Sequence, residues 1–435
     1  MNTSFLNPTY LMIFHFLFIL ISLSLLIYLY IKDFKYITMN YLAYFLIFSI
    51  FYISLPSIIT VYTNFSIVDA SSEIIRKSAL YGFYFNLIIF CGFIFSLKIN
   101  YKNSLWTYLD TIPHIRIKSI KVIFIVFLII INLYISFIII IHYNDFIQAY
   151  GDRRAQADLL QILINNYKIN FLFFIIIIII SSLFFIKRSY LYFIYLLQFL
   201  FLDFILSDRD YILFIFILFV LLQSYNNKNI KIKYLFSLLF LFIFIGVYRG
   251  VSIDNIKIEK FFDFINEFLY TWANVHLTLT STQEQDISNS MLYALFKIGL
   301  PHSYELLFGK YHHYVEIPAA LNPFKTAGLA GSILAEVVSF KNKFMLFFEP
   351  LLIVMYGLFF NLLNQTKFIT GKVLFILSII YMFPIIRMGF FENALYIFYL
   401  VIFYNGLTVY IDLQLYKKIR LINKLKEDSS LKRIA

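Results

Sequence analysis

The chain alternates between long apolar runs and short polar breaks. The stretch "NFLFFIIIIIISSLFFI" (170–186) carries no charge, and comparable runs recur along the whole length. A membrane-spanning helix needs roughly 20 apolar residues, with about 17 as a lower limit. The alternating pattern of a transmembrane barrel is absent, so the runs read as helices. Eleven spans are predicted, over 9–31, 39–61, 78–97, 122–142, 170–186, 190–206, 211–225, 234–248, 344–364, 373–386 and 388–411. Two polar segments between them are long, 143–169 and 249–343, and loops of that length usually carry function. Within the second, 261–277 and 288–300 have a helical apolar pattern and are expected to lie on, or dip into, the membrane surface. The expected fold is therefore all-α and polytopic. It has an N-terminal group of about eight spans (1–248), a large helical loop (249–343), three C-terminal spans (344–411) and a basic tail (412–435).

Composition agrees with this class: 61% of residues are hydrophobic and only 14% charged, with a mean hydropathy of +0.82. Charge sets the expected orientation. Of the 36 Lys and Arg, 21 fall in the connections 32–38, 98–121, 187–189, 226–233, 365–372 and the tail, with 5 Asp and Glu. Basic loops stay on the cytoplasmic side, so the N-terminus is predicted outside and the C-terminus inside, and both long loops face outward. The net charge of +12 thus belongs to membrane topology and implies no nucleic-acid partner. The N-terminus has no Lys or Arg before its first apolar run, so no cleavable signal is expected. The one cysteine, Cys91, lies in an apolar run and is read as a small buried residue. No internal repeat is visible, which argues against an inverted-repeat transporter.

Arginines at membrane depth are the first candidate chemistry. Arg209 sits in the turn "SDRD" between two short spans, Arg249 ends a span, and Arg387 follows Pro384, which can kink its helix and aim the side chain. Charges at such depth are costly and point to function, although a snorkelling side chain that meets a lipid phosphate or a nearby Asp is the plain alternative. Arg153 and Arg154, in "YGDRRAQAD", lie on the same predicted face. The planar guanidinium binds phosphate through two parallel bonds, which lysine cannot copy. These five arginines are candidate pyrophosphate ligands.

The segment "KYHHYVEIPAALNPFKTAGLAGSILAEVVSFKNK" (310–343) supplies the second set. On a helix from about 326 to 340, Gly328, Ser332 and Glu336 share a face, which reads either as close helix packing with Glu336 solvated or as a presented carboxylate. His312 and His313 are candidate bases or phosphate donors, or inert loop residues. No Asp/His cluster with ligand spacing accompanies them, so no metal is expected. Asp203 and Glu349, in or near spans, are expected to partner arginines or polar cavity groups.

The span number, the long outer loops with arginines and the stretch "AGLAGSILAEVVSF", with Gly328, Gly331, Ser332, Ala335 and Glu336, resemble bacterial O-antigen polymerases of the Wzy type. The arginine turn "LSDRDYILFIF" is similar too, but has Asp on both sides of Arg209 where that family usually has small residues. The resemblance covers most of the chain as architecture and some 30 residues as motif. It implies an inner-membrane glycosyltransferase of lipopolysaccharide or other polysaccharide biosynthesis. Such an enzyme joins repeat units carried on undecaprenyl pyrophosphate at the periplasmic face, without a cofactor. The arginines would stabilise the leaving pyrophosphate, and Glu336, then His313 and His312, would be the base. Membrane lipids and a chain-length regulator protein are the implied partners. The rival readings are an O-antigen ligase of similar fold, a polysaccharide flippase, and a membrane-bound acyltransferase or other lipid-carrier glycosyltransferase.

Overall fold

The computed structural model describes residues 7–32, 37–98, 118–149, 152–187, 189–206, 210–226, 259–281, 332–366, 368–391 and 409–414, with isolated positions beyond these. Among them the chain is helical and forms no strand. In order, the helices are α1 (Pro8–Lys32), α2 (Tyr41–Thr63), α3 (Ser72–Lys98), α4 (Lys118–Ile141), α5 (Tyr143–Ala149), α6 (Arg153–Tyr167), α7 (Ile169–Lys187), α8 (Leu191–Leu206) and α9 (Asp210–Tyr225). There follow α10 (Glu259–Thr280), α11 (Ile333–Ser339), α12 (Met345–Asn364), α13 (Ile369–Ile380) and α14 (Met382–Met388).

Seven described helical segments are long and apolar enough to cross a membrane: α1, α2, α3, α4, α7, α12 and the α13–α14 pair. The expected spans 190–206 and 211–225 form the shorter apolar helices α8 and α9. The expected span 234–248 and most of 388–411 lie outside the described residues. The polar segment 143–169 forms two surface helices, α5 and α6, and the apolar pattern at 261–277 becomes α10.

At the centre, α3 crosses α12, and α2 packs beside both. Gly92 makes the crossing possible, because a Cβ there would run into the Val354 isopropyl group. Small residues let backbones approach where lipid supplies no hydrophobic drive for helix association. The α7 and α9 helices join this group through α13. On the periphery, α1 and α4 expose Phe16, Leu20, Ile27, Phe127, Leu133 and Phe137, as a lipid-facing surface does. Cys91 is exposed in the same way, contrary to the buried position expected for it. Its neighbours Gly92 and Phe93 take the inward face of α3, so Cys91 points away.

Several buried polar groups in the bundle are hydrogen-bonded to one another, which offsets the several kcal/mol (about 2–7) that an unsatisfied one costs in hydrocarbon. The lower end, where α2 begins and α12 ends, is tied by Asn40, Asn361 and Ser96. Asn361 accepts from the Tyr41 N–H at 2.8 Å and donates to Asn40 Oδ1 at 3.1 Å. Asn40 in turn donates to Ser96 Oγ at 2.8 Å. Higher up, Pro56 cannot complete the α2 ladder, and the preceding Ile50–Ser54 turn widens to a π-helical form. Ser54 then accepts from Asn86 Nδ2 at 2.7 Å. The upper end holds the 64–71 turn between α2 and α3, the end of α8 and the start of α9, the start of α12 and the end of α14.

Candidate active site

Pro384 shapes the upper end of the last described span. It has no N–H for the Ile380 carbonyl, so α13 stops at Ile380 and the chain restarts as α14 after Tyr381. This is the kink expected from the sequence. Arg387, in the last turn of α14, lays its guanidinium over the Phe383 ring, 5.0 Å from the centroid. Its Nη1 reaches Asp210 Oδ1 at 3.4 Å. Asp210 opens α9, and Asp203, from the last part of α8, caps the same helix by accepting the Ile212 N–H at 2.6 Å. A carboxylate at a helix N-terminus satisfies an orphan donor and complements the dipole. Two acids therefore fix the start of α9, and the one facing Arg387 is Asp210.

Beyond Met388 the chain turns at Gly389, whose φ of 107° and ψ of 159° belong to a region that essentially only glycine enters. Phe390 re-enters helical geometry, and its N–H donates to Glu336 Oε2. A Cβ at Gly389 would lie 2.7–2.8 Å from the Glu336 carboxyl atoms. Glycine is thus needed here twice, for the backbone angle and for the room the carboxylate occupies.

Glu336 comes from α11, a seven-residue helix whose every residue is buried. Here the structure corrects the sequence reading. The helix begins at Ile333, not near 326, and Ser332 is an extended N-cap with φ −145°. Ser332 and Glu336 therefore do not continue one helical face. Gly328 lies outside the described residues. Nor is Glu336 solvated: it is 2% exposed. The α11 helix is held by α10, α12, α14 and α3. From α12, Glu349 brings a second carboxyl group against that of Glu336. Glu349 is fully buried, and neither of its oxygens meets a hydrogen-bond donor among the described residues. Sequence reasoning expected an arginine or a polar cavity group beside it.

The α10 helix closes the site from the side. His276, 1% exposed, bonds Ser66 Oγ at 2.7 Å and Ser78 Oγ at 3.0 Å through its two ring nitrogens. Burial pushes its pKa down to about 4, so the ring is neutral near pH 7. Trp272 meets it edge-on. At the end of α10, Lys341 Nζ donates to the Thr278 carbonyl at 2.6 Å, a cation on the negative end of a helix. It thereby fastens the exit of α11 to α10.

No protein-family model, curated protein or solved structure matches this chain. The site must be read from its own geometry.

Of the eight candidate residues named from the sequence, the structure brings Glu336 and Arg387 to one corner, joined through Gly389 and Phe390. Arg153 and Arg154 open α6, the surface helix that Gln156 ties to α8 by donating to the Ile205 carbonyl at 3.0 Å. Their side chains lie outside the described set, as do Arg209, Arg249, His312 and His313 altogether. Sequence reasoning missed Asp210 as the partner of Arg387, Glu349 as the partner of Glu336, and Gly389. One signal was available for the last: a glycine five residues after a proline and two after an arginine marks a helix break. Among the described residues no group of three His, Cys, Asp or Glu gathers. Two carboxyls with a backbone donor are the components of proton transfer, and the Arg387 guanidinium, directed at Asp210, belongs to the adjoining turn.

Proposed function

We propose that this chain is a Wzy-type polymerase, which joins oligosaccharide repeat units carried on undecaprenyl pyrophosphate at the outer face of the bacterial cytoplasmic membrane. The observation that carries this reading is the enclosed Glu336 carboxylate, held by the Phe390 N–H three residues from Arg387. In this account the shorter helices α8 and α9 and the segments 234–248 and 388–411 add to the seven long spans to give eleven. The N-terminus is outside, so the upper end of the bundle faces the periplasm and the lower end the cytoplasm.

The reaction is a displacement at an anomeric carbon. A hydroxyl oxygen of the acceptor repeat unit forms the new bond to the anomeric carbon of the donor glycan. The bond from that carbon to the pyrophosphate oxygen breaks with its electron pair, and the lipid pyrophosphate leaves. The acceptor proton passes to Glu336, with His313 and His312 as alternative bases. Arg387, together with Arg153, Arg154, Arg209 and Arg249, receives the growing negative charge of the leaving group. Preorganised donors of this kind are the largest usual contribution in such steps. Removing water from around the carboxylate also strengthens its pull on the acceptor proton.

The test is Glu336→Gln in the producing cell, with protein abundance measured alongside. Loss of a general base costs about 10²–10⁴-fold in rate, so the lipopolysaccharide should carry one repeat unit and no ladder. A normal ladder from a normally abundant variant removes Glu336 from the chemistry. A core with no repeat unit at all identifies a ligase instead.

A further inference from the structure

We infer that Glu349 is a positioning residue for Glu336: it stays protonated and donates its O–H to the Glu336 carboxylate. Glu336 and Glu349 meet inside the bundle, 2% and 0% exposed. Two ionised carboxylates can only accept hydrogen bonds, and as such neither Glu349 oxygen has a donor among the described residues. Like charges in contact in a low-dielectric interior repel strongly. One proton removes both problems, turning the contact into a short, charge-assisted O–H···O bond.

The surroundings say which carboxyl holds that proton. Glu336 Oε2 already accepts the Phe390 N–H, a bond that is stronger to a carboxylate than to a neutral acid. Gly389 leaves the space for this approach. Glu349 has no comparable donor in the described structure, so it is the better home for the proton. The charged and titratable groups on neighbouring elements are engaged elsewhere in part. Arg387 reaches Asp210, Lys341 reaches the Thr278 carbonyl, and His276 spans Ser66 and Ser78. Tyr41 and Tyr356, on α2 and α12, are buried phenols. With one donor from the backbone and one from Glu349, the Glu336 carboxylate is held from two sides. In the proposed reaction it then takes the acceptor proton without turning away. The inference rests on the reading of Glu336 as base only for this last step; the protonation of Glu349 stands apart from it.

Infrared spectroscopy of the purified protein in lipid nanodiscs at neutral pH tests the protonation. Wild type should show the carbonyl stretch of a buried protonated carboxyl, shifted by deuterium exchange. Glu349→Gln should lose the intensity of one such group, and Glu336→Gln should keep it, because Glu349 then stands alone and neutral. A wild-type spectrum without the band overturns the inference. So does a band that survives Glu349→Gln in full, since it then belongs to another buried acid such as Asp203. If Glu349→Gln does not yield folded protein, Glu336→Gln decides: loss of the band there is equally fatal. Chain synthesis supplies the second readout. Glu349→Gln keeps a donor toward Glu336 and should retain the polymer. Glu349→Leu fills similar space without a donor and should lose activity on the order of 10²-fold, the usual cost of misplacing a reacting group. Equal polymer from the Gln and Leu variants refutes the positioning role. A failed polymerase reading with an intact infrared result would refute only the assignment of the reaction.

Discussion

Replacing Gly389 by alanine is the sharpest structural perturbation. At φ 107° and ψ 159° a side chain strains the backbone, which costs about 1–3 kcal/mol. The new methyl would also sit 2.7–2.8 Å from the carboxyl carbon and oxygens of Glu336, and overpacking of this kind costs about 1–3 kcal/mol. Together the loss is roughly 2–6 kcal/mol, a large share of the ~5–15 kcal/mol of a typical domain. Gly82 provides the comparison. A Cβ there would approach the Ile53 Cγ2 methyl at 2.8 Å and the Trp272 ring at 3.1 Å, a comparable steric clash, but the backbone angle is ordinary, so the conformational strain is missing. Thermal unfolding in detergent, followed by tryptophan fluorescence, should therefore show Gly389→Ala well below Gly82→Ala. The double variant Gly389→Ala/Glu336→Ala isolates the contact. Without the carboxylate the methyl has room, so the steric part of about 1–3 kcal/mol should return as coupling between the two sites. A Gly389→Ala protein as stable as Gly82→Ala, or no coupling to Glu336, would refute the placement of Glu336 in the Gly389 turn.

Further outcomes follow from the same geometry. The Asp210–Arg387 pair is 3.4 Å long and partly exposed, so Asp210→Asn should change stability by less than about 1 kcal/mol; Arg387→Lys should nonetheless abolish long polymer, because a point charge does not replace the planar fork. His276 gives a pH dependence. Its folded pKa of about 4 lies below the unfolded 6.5, so between these values the unfolded chain binds more protons and stability falls as pH falls. The full loss below pH 4 is roughly 3 kcal/mol, and a thermal midpoint in His276→Gln that keeps the wild-type slope between pH 7 and pH 4 would remove His276 as its source. Reporter fusions at 155 and 315 should report the outer side, and those at 110, 229 and 420 the cytoplasm; an outer signal at 420 would invert the orientation.

Seven of the spans were legible because length and apolarity alone decide whether a segment can cross a bilayer. The kink before Arg387 was legible for a similar reason, since Pro384 acts on its own helix whatever surrounds it. The start of α11 was readable but misread. Gly328 and Gly331 are poor helix-interior residues, and Ser332 before the apolar "ILA" is a plausible N-cap, yet a stripe of small residues suggested a longer helix. The core of the site was not legible, because its contacts are tertiary. Glu336 meets the Phe390 N–H 54 positions away, and Arg387 meets Asp210 across 177. Nothing in the local pattern around Glu349, an acid between apolar neighbours and Pro350, tells whether it faces an arginine or another acid. The aspartates flanking Arg209 looked like its own partners, whereas one of them faces a different arginine.

The most direct test of the polymerase account is reconstitution. The purified chain, in liposomes that also hold a lipid-linked repeat unit from the producing cell, should extend glycan chains. It should release undecaprenyl pyrophosphate, one molecule for each new linkage. Glu336→Gln should slow both by about 10²–10⁴-fold. Failure of a folded, correctly oriented wild-type protein to couple chain growth to release of the lipid pyrophosphate, or equal rates for the two proteins, would contradict the account.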